Sequence, residues 1–392
     1  MEKIKKWILS YNSIFLVFTI LTIAISFQRF LPAHTFNGKF CYYNNFILFK
    51  YSVIHLLEFK DMYIPYENEG AWDLYKYSPT FAVFMLPYAF LPDLPGLICW
   101  NLTNVLLVFW AIRTLPTFRD SSKQLLLWFI LPELMLSTQS SQSNALMVAL
   151  YLLTFTAFEN RKIATAVILI GLATCIKPYG IVIGVLFLFY PNKLRFVIYS
   201  CIIGVLFVSL PLLITSLSNL QNQYISWFAM LSGDYTNSTG ISVMALINDF
   251  SGVAVNKMTV IILGTLLTVS TLLFHKSYHN YSYRILILSL FLIWVVIFNH
   301  KSESPTFIIP VVGVGLWFFS RPQNQWNLIL LIIVLILTQL SASDLFPAYV
   351  RKELFAKIHI KVIPCFIVWI VILIRIYWDS LIRKPEKVSR II

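Results

Sequence analysis

Apolar residues gather in long runs broken by short polar stretches. The runs centre on residues 8–27, 96–113, 124–138, 142–158, 163–176, 179–190, 196–217, 258–274, 284–298, 305–319, 326–340 and 362–378. A helix that crosses a bilayer needs about 20 apolar residues. The pattern therefore predicts an all-α, polytopic membrane protein with about twelve transmembrane helices. A further run, 79–92, is punctuated by Pro79, Pro87 and Pro92 and is too short to cross. It reads as a re-entrant or interfacial segment. The first run follows Met1-Glu-Lys-Ile-Lys-Lys6, and Ile23-Ala-Ile-Ser-Phe-Gln28 is a poor match to a signal-peptide cleavage site. That run reads as a retained span. The chain, 1–392, reads as a single integral membrane domain whose first external loop, 28–78, carries interfacial helices. Within the loop, apolar residues at 46, 47, 49, 53, 54, 56 and 57 approximate the face of an amphipathic helix.

Composition narrows the class. The chain is 58% hydrophobic and 12% charged, against about 45–50% and about 25% in soluble domains. Its mean hydropathy is +0.76. These values exclude a soluble enzyme, a disordered chain and a soluble nucleic-acid binder, so the partner is a lipid bilayer and not nucleic acid. Five cysteines, Cys41, Cys99, Cys175, Cys201 and Cys365, show no CxxC spacing and imply neither a disulfide framework nor a zinc site. His275 and His279 are four residues apart with no nearby acid, so no metal site is expected there.

The net charge of +13 gains meaning from its placement. With the amino terminus in the cytoplasm and 79–92 not crossing, 18 of the 30 Lys and Arg residues fall inside. This agrees with the positive-inside rule. If 79–92 crossed, Arg113, Arg119 and Lys123 would move outside and weaken the bias. Both termini are thus expected in the cytoplasm, in a cell inner (plasma) membrane. Of the 17 acids, 12 fall outside. The long loops also lie there, and a membrane protein that spends its loop length on one face is expected to work on that face.

The polar motifs land on this outer face. Asn44 and Asn45 open the amphipathic segment. Asp61-Met-Tyr63 and Asp73-Leu-Tyr-Lys76-Tyr77-Ser78-Pro79 follow, among aromatic residues that suit a headgroup zone. Ser137 to Asn144 is rich in amides and hydroxyls, including Gln142 and Asn144, and reads either as a plain turn or as a grip on a sugar. Lys177-Pro178-Tyr179 places a cation between two hydrophobic runs, where it either snorkels or meets a lipid-linked phosphate. Asn237-Ser-Thr is formally a glycosylation acceptor. His300-Lys301-Ser302-Glu303-Ser304-Pro305 is the densest ionisable cluster at a predicted membrane boundary.

The chain resembles glycosyltransferase family 87, a GT-C class of membrane enzymes that use polyprenol-phosphate sugars and include mannosyltransferases. The resemblance rests on Asn45-Phe46 with Asp61-Met-Tyr63, on Tyr75-Lys-Tyr-Ser-Pro79, on Gln142-x-Asn144, on Lys177-Pro178 and on the His300 turn. It implies a GT-C-like fold with the active site at the outer membrane boundary. It also implies inverting transfer of a sugar, mannose or another hexose, from a polyprenyl-phosphate donor to a glycolipid or glycan acceptor. No cofactor is implied, and no metal is required where Lys or Arg groups stabilise the leaving phosphate. Substrate-binding roles then fall to Asn44, Asn45, Lys76, Tyr77, Gln142, Asn144, Lys177, Asn237, His300 and Lys301. Family members usually carry an Asp just after the first span, where this chain has Asn45. The base is therefore expected among Asp73, Asp61 and Glu303, with Asp73 preferred. Two alternatives stay open: a transporter or flippase of lipid-linked glycans, and a non-catalytic homologue in envelope assembly.

Overall fold

Each of the twelve apolar runs folds as a helical segment, with ends set by local chemistry. The computed structural model describes residues 7–31, 35–36, 40–66, 69–234, 239–252 and 255–381. Among these, four helical stretches are long and apolar enough to cross a membrane: Tyr11–Phe30, Asp93–Arg113, Lys193–Leu213 and Val362–Leu381. The remaining apolar helices are shorter or carry more polar residues. Residues 163–176, for example, make a helix of 14 residues, or about 21 Å at 1.5 Å per residue. The chain divides into two compact units, residues 1–238 and 239–392.

In the first unit, α1 (Tyr11–Phe30) begins at Ser10, whose side chain accepts from the Ser13 amide. A two-residue antiparallel pair, β1 (Thr35–Phe36) and β2 (Phe40–Cys41), precedes α2 (Asn44–Leu57). The face of α2 carrying Phe46, Phe49, Val53 and Leu56 is fully buried. It packs against protein: the Phe49 ring meets Tyr77, Phe81 and Trp100 edge-on, at 4.8, 5.3 and 5.4 Å between centroids. The 79–92 run forms two short helices, α3 (Pro79–Phe84) and α4 (Leu86–Ala89), split by Met85 and Pro87. Ser78 caps α3 and Pro79 sits in its first turn, where a missing N–H costs nothing. Then come α5 (Asp93–Arg113), α6 (Asp120–Gln139), α7 (Asn144–Glu159) and α8 (Ile163–Ile176), a 3-10 segment Pro178–Phe189, α9 (Lys193–Ser209) and α10 (Leu217–Asp234). Helix α1 packs on α5 and α6, α5 on α7, α7 on α8, and α8 on the 3-10 segment and α9. No residue of α9 is buried, as suits a helix facing lipid.

Gly180 sets the junction after α8. A Cβ there would lie 2.3 Å from the Ala173 carbonyl carbon and oxygen, so only glycine permits the close return of the chain at Lys177. Gly180→Ala is expected to cost about 1–3 kcal/mol through overpacking against backbone that cannot yield. A lowered thermal midpoint of the detergent-solubilised protein checks this.

The second unit contains α11 (Val243–Ser251), α12 (Lys257–Ser270), α13 (Tyr281–Ile297), α14 (Ile308–Phe319), α15 (Gln325–Ile333) and α16 (Val362–Leu381). Its core is α13 against α14 and α16, with α15 on α14 and α16. The α13–α14 pair is apolar on nearly every side and correspondingly buried.

Candidate functional site

Four segments separated in sequence meet in the first unit. The turn between α6 and α7 is their hub. Ser141 takes a positive φ of 50° and reverses the chain. Two donors hold its carbonyls: Asn45 Nδ2 reaches Ser140 O at 2.9 Å, and Trp100 Nε1 reaches Ser141 O at 2.8 Å. Asn104 Oδ1 accepts from the Leu146 amide at 3.1 Å and fixes the first turn of α7. The turn is thus a built frame whose side chains are positioned from three directions.

Asn144 lies fully buried at the start of α7. Its Nδ2 donates to Gln142 Oε1. Its Oδ1 accepts from Lys177 Nζ at 2.6 Å, a length typical of a charge-assisted bond. Lys177 sits at the break between α8 and the 3-10 segment, in extended backbone, with its ammonium 5.8 Å from the Tyr179 ring centroid. Tyr151 donates to Tyr179 O at 3.2 Å and steadies that turn. The third segment joins here as well: Ser143 Oγ donates to the Tyr77 hydroxyl at 3.2 Å, and Ser78 Oγ donates to Cys175 O at 2.6 Å. Asn45, Tyr77, Gln142, Asn144 and Lys177 are therefore one connected network.

The 75–78 segment is pinned from inside the first loop. Tyr63 OH donates to Tyr77 O at 2.9 Å, and Tyr75 OH donates to Ser78 O at 3.0 Å. Burial pushes both phenols well above the usual tyrosine range, so they remain neutral donors. Tyr63, Tyr75 and Tyr77 are buried, not arrayed in a headgroup belt; Trp72 is the exposed one. Their ring edges are used in packing because three hydroxyls find partners there.

The acids lie on the same loop. Asp73 pairs with Lys76 at 3.0 Å, both partly exposed, and its Oδ1 caps the Leu74 amide at 2.8 Å. Asp61 is more firmly held: Oδ1 accepts from the Tyr63 amide and Oδ2 from Ser226 Oγ, each at 2.8 Å. Helix α10 supplies that serine and clasps the loop further through Gln223 and Trp227. Gln223 Nε2 donates to Lys60 O at 2.7 Å, and Trp227 Nε1 donates to Lys76 O at 3.2 Å.

Asn44 is buried and accepts from the Trp72 amide at 2.8 Å. Asn45 acts as a donor. An aspartate at 45 would replace that donor by a carboxylate facing the Ser140 carbonyl. Asn45→Asp is expected to destabilise the turn by about 1–3 kcal/mol and to lower activity, checked by thermal melting alongside a turnover assay.

In the second unit, His300, Lys301 and Glu303 occupy the turn between α13 and the 3-10 start of α14. Gly240, at φ +57°, lies against it: a Cβ there would be 2.7 Å from His300 O. The Lys301 amide donates to Asn299 Oδ1 at 2.9 Å. Glu303 and Thr306 cap one another, the Thr306 hydroxyl accepting from the Glu303 amide at 3.3 Å. The Glu303 carboxylate is thus committed to a helix start. Lys361 is buried against this turn and donates to Ser304 Oγ at 3.0 Å. Asn237 lies outside the described residues. Among the described residues no group of three or more His, Cys, Asp or Glu could hold a metal ion.

Sequence reasoning missed the supports. Ser226 and Gln223 lie in α10, beyond the apolar run 196–217, and Trp100 and Asn104 lie inside an apolar run. The polar residue inside such a run is the one available signal. Glu133, fully buried in α6 beside Pro132, carries the same signal.

The family model of glycosyltransferase family 87 matches residues 75–341. That stretch contains Tyr77, the Gln142–Asn144 turn, Lys177 and the His300 turn. No match was found among curated proteins.

Proposed function

Because the chain belongs to glycosyltransferase family 87, and is therefore a membrane glycosyltransferase, we propose that it moves a hexose from a polyprenyl-phosphate donor to a glycolipid or glycan acceptor with inversion. In this reading the twelve helical segments cross an inner membrane in a GT-C-like arrangement. Both termini are cytoplasmic and the network around Lys177 lies at the outer boundary. Some of the shorter helices are lengthened by 3-10 or π continuations, as in Lys257–Leu273 and Gln325–Gln339.

The observation that carries this reading is the Lys177–Asn144–Gln142 network, joined through Ser143 to Tyr77. An acceptor hydroxyl attacks the anomeric carbon. The bond from that carbon to the phosphate oxygen breaks, and polyprenyl phosphate leaves with the electron pair and one additional negative charge. Lys177 meets that charge as a fixed cation. Asp73 takes the acceptor proton, oriented by its ion pair with Lys76. Gln142 and Tyr77 supply hydrogen bonds to sugar hydroxyls.

The test is transfer of radiolabelled hexose from polyprenyl-phosphate hexose, using membranes that contain the folded protein. Label is expected in a lipid or glycan fraction only when the protein is present. No transfer to any such acceptor, with the protein shown folded, would contradict the proposal. The structural use of Asn44 and Asn45 favours one second reading, a non-catalytic homologue. Under it, neutralising Asp73, Asp61 or Glu303 would change no phenotype beyond what loss of folded protein explains.

A further inference from the structure

The second unit holds a cavity of about 580 Å³ at the end of its helices opposite the His300 turn. It lies among the end of α14, the loop 320–324, the first turn of α15 and the last turns of α16, with Trp317, Arg321, Asn324, Asn327, Arg375 and Trp378 on its walls. None of its lining residues belongs to the network around Lys177.

The walls are built rigidly. Gln323 Nε2 donates to Phe318 O at 2.5 Å, and Gln323 Oε1 accepts from Asn327 Nδ2 at 2.6 Å. Asn324 Oδ1 caps α15 by accepting from the Asn327 amide at 2.9 Å. These bonds clamp the loop that carries Arg321 between two helix ends. Arg375 Nε is already engaged, donating to Asp379 Oδ2 at 2.7 Å. Arg321 is different: its Nη2 is buried and makes no hydrogen bond among the described residues. Burial, and then the neighbouring Arg375 charge, push its guanidinium down to about 10, still cationic at neutral pH. A buried cation with an unmet N–H is costly. Among the described residues Arg375 pairs with Asp379 and Arg321 has no ion pair, which leaves its positive charge facing the cavity. The amino-terminal end of α15, nine residues long, adds its own positive end.

We propose that this cavity binds the phosphate of a membrane phospholipid, Arg321 and Arg375 gripping its oxygens and the rim accommodating the acyl chains. Guanidinium groups match phosphate geometry in a way that a point charge does not. The membrane lipid is favoured over a soluble phosphate by the rim. Ile374 and Trp378 are 62% and 53% exposed on a helix long and apolar enough to cross a bilayer. The mouth therefore opens where lipid lies, beside a tryptophan of the kind enriched at membrane boundaries.

Native mass spectrometry of the purified full-length protein tests this with phosphatidylglycerol and with diacylglycerol of the same chains. The wild type is expected to retain phosphatidylglycerol about tenfold better than diacylglycerol, and Arg321→Gln to erase that margin. Arg321→Lys, which keeps the charge and the fold, is expected to retain part of it. Equal retention of the two lipids by the wild type would overturn the proposal. So would wild-type binding by folded Arg321→Gln and Arg375→Gln. Displacement of the lipid by millimolar inorganic phosphate would assign the cavity to a soluble anion and overturn the lipid reading. If Arg321→Gln fails to fold, the wild-type lipid comparison and Arg321→Lys decide.

Discussion

Lys177→Met is expected to lower the rate of sugar transfer by about 10²–10³, the loss that follows removal of one fixed donor from a site where negative charge develops. That corresponds to about 2.7–4 kcal/mol of transition-state stabilisation. The physical basis is the position of the cation. Its Nζ is held 2.6 Å from Asn144 Oδ1 by a residue that is itself fully buried and tied to Gln142. The ammonium therefore does not have to be ordered when the phosphate departs. The expected loss lies in kcat more than in KM, because the leaving phosphate carries more charge than the bound donor. Lys177→Arg restores charge but not the compact fit, and an intermediate rate is expected. A stability change alone would lower the active fraction without altering kcat per folded molecule. Quantifying folded protein by its melting transition separates the two.

Asp73→Asn is expected to reduce transfer by about 10²–10⁴, the range for loss of a general base, with folding retained. The carboxylate is partly exposed, and its interior tie is the Leu74 amide, which an asparagine oxygen still accepts. The comparison acids behave differently. Asp61→Asn replaces an oxygen that accepts from the Tyr63 amide or Ser226 by an NH2 that cannot. Its effect is expected mainly in stability, through loosening of α10 from the first loop. Glu303→Gln preserves the side-chain oxygen that caps the helix at Thr306, so its turnover is expected to stay within about twofold of wild type, less than 0.5 kcal/mol. Steady-state kinetics on the three variants, with thermal melts alongside, distinguish these outcomes. A rate for Asp73→Asn equal to wild type would remove Asp73 from the chemistry.

The helical architecture was legible because runs of apolar residues this long have few alternatives, and every run became a helical segment. Residues 79–92 read as too short to cross, and they fold as two short helices for the reason visible in the sequence, prolines at 79, 87 and 92. The amphipathic stretch at 46–57 did become a helix, yet its apolar face packs on Tyr77, Phe81 and Trp100. Periodicity reports that a face is apolar; it does not report whether lipid or protein covers it. The site was legible in part. Asn144 and Lys177 are 33 positions apart in sequence and both stood out as polar groups at boundaries of apolar runs. Their mutual hydrogen bond depends on how α7 and α8 pack and on the close return at Gly180, which no local pattern encodes. The partners of Asp61 were invisible for a similar reason: Ser226 is an ordinary serine until α10 lies against the loop. Asn45, legible as a departure from an expected acid, has a role that depends on the Ser140 carbonyl it meets.

The most direct test of the Lys177 site is an experimental density map of the protein with added polyprenyl phosphate. The phosphate is expected within hydrogen-bonding distance of Lys177 Nζ, about 2.7–3.2 Å, with the prenyl chain running out into the bilayer. A phosphate bound elsewhere, out of reach of Lys177 Nζ, would contradict the account.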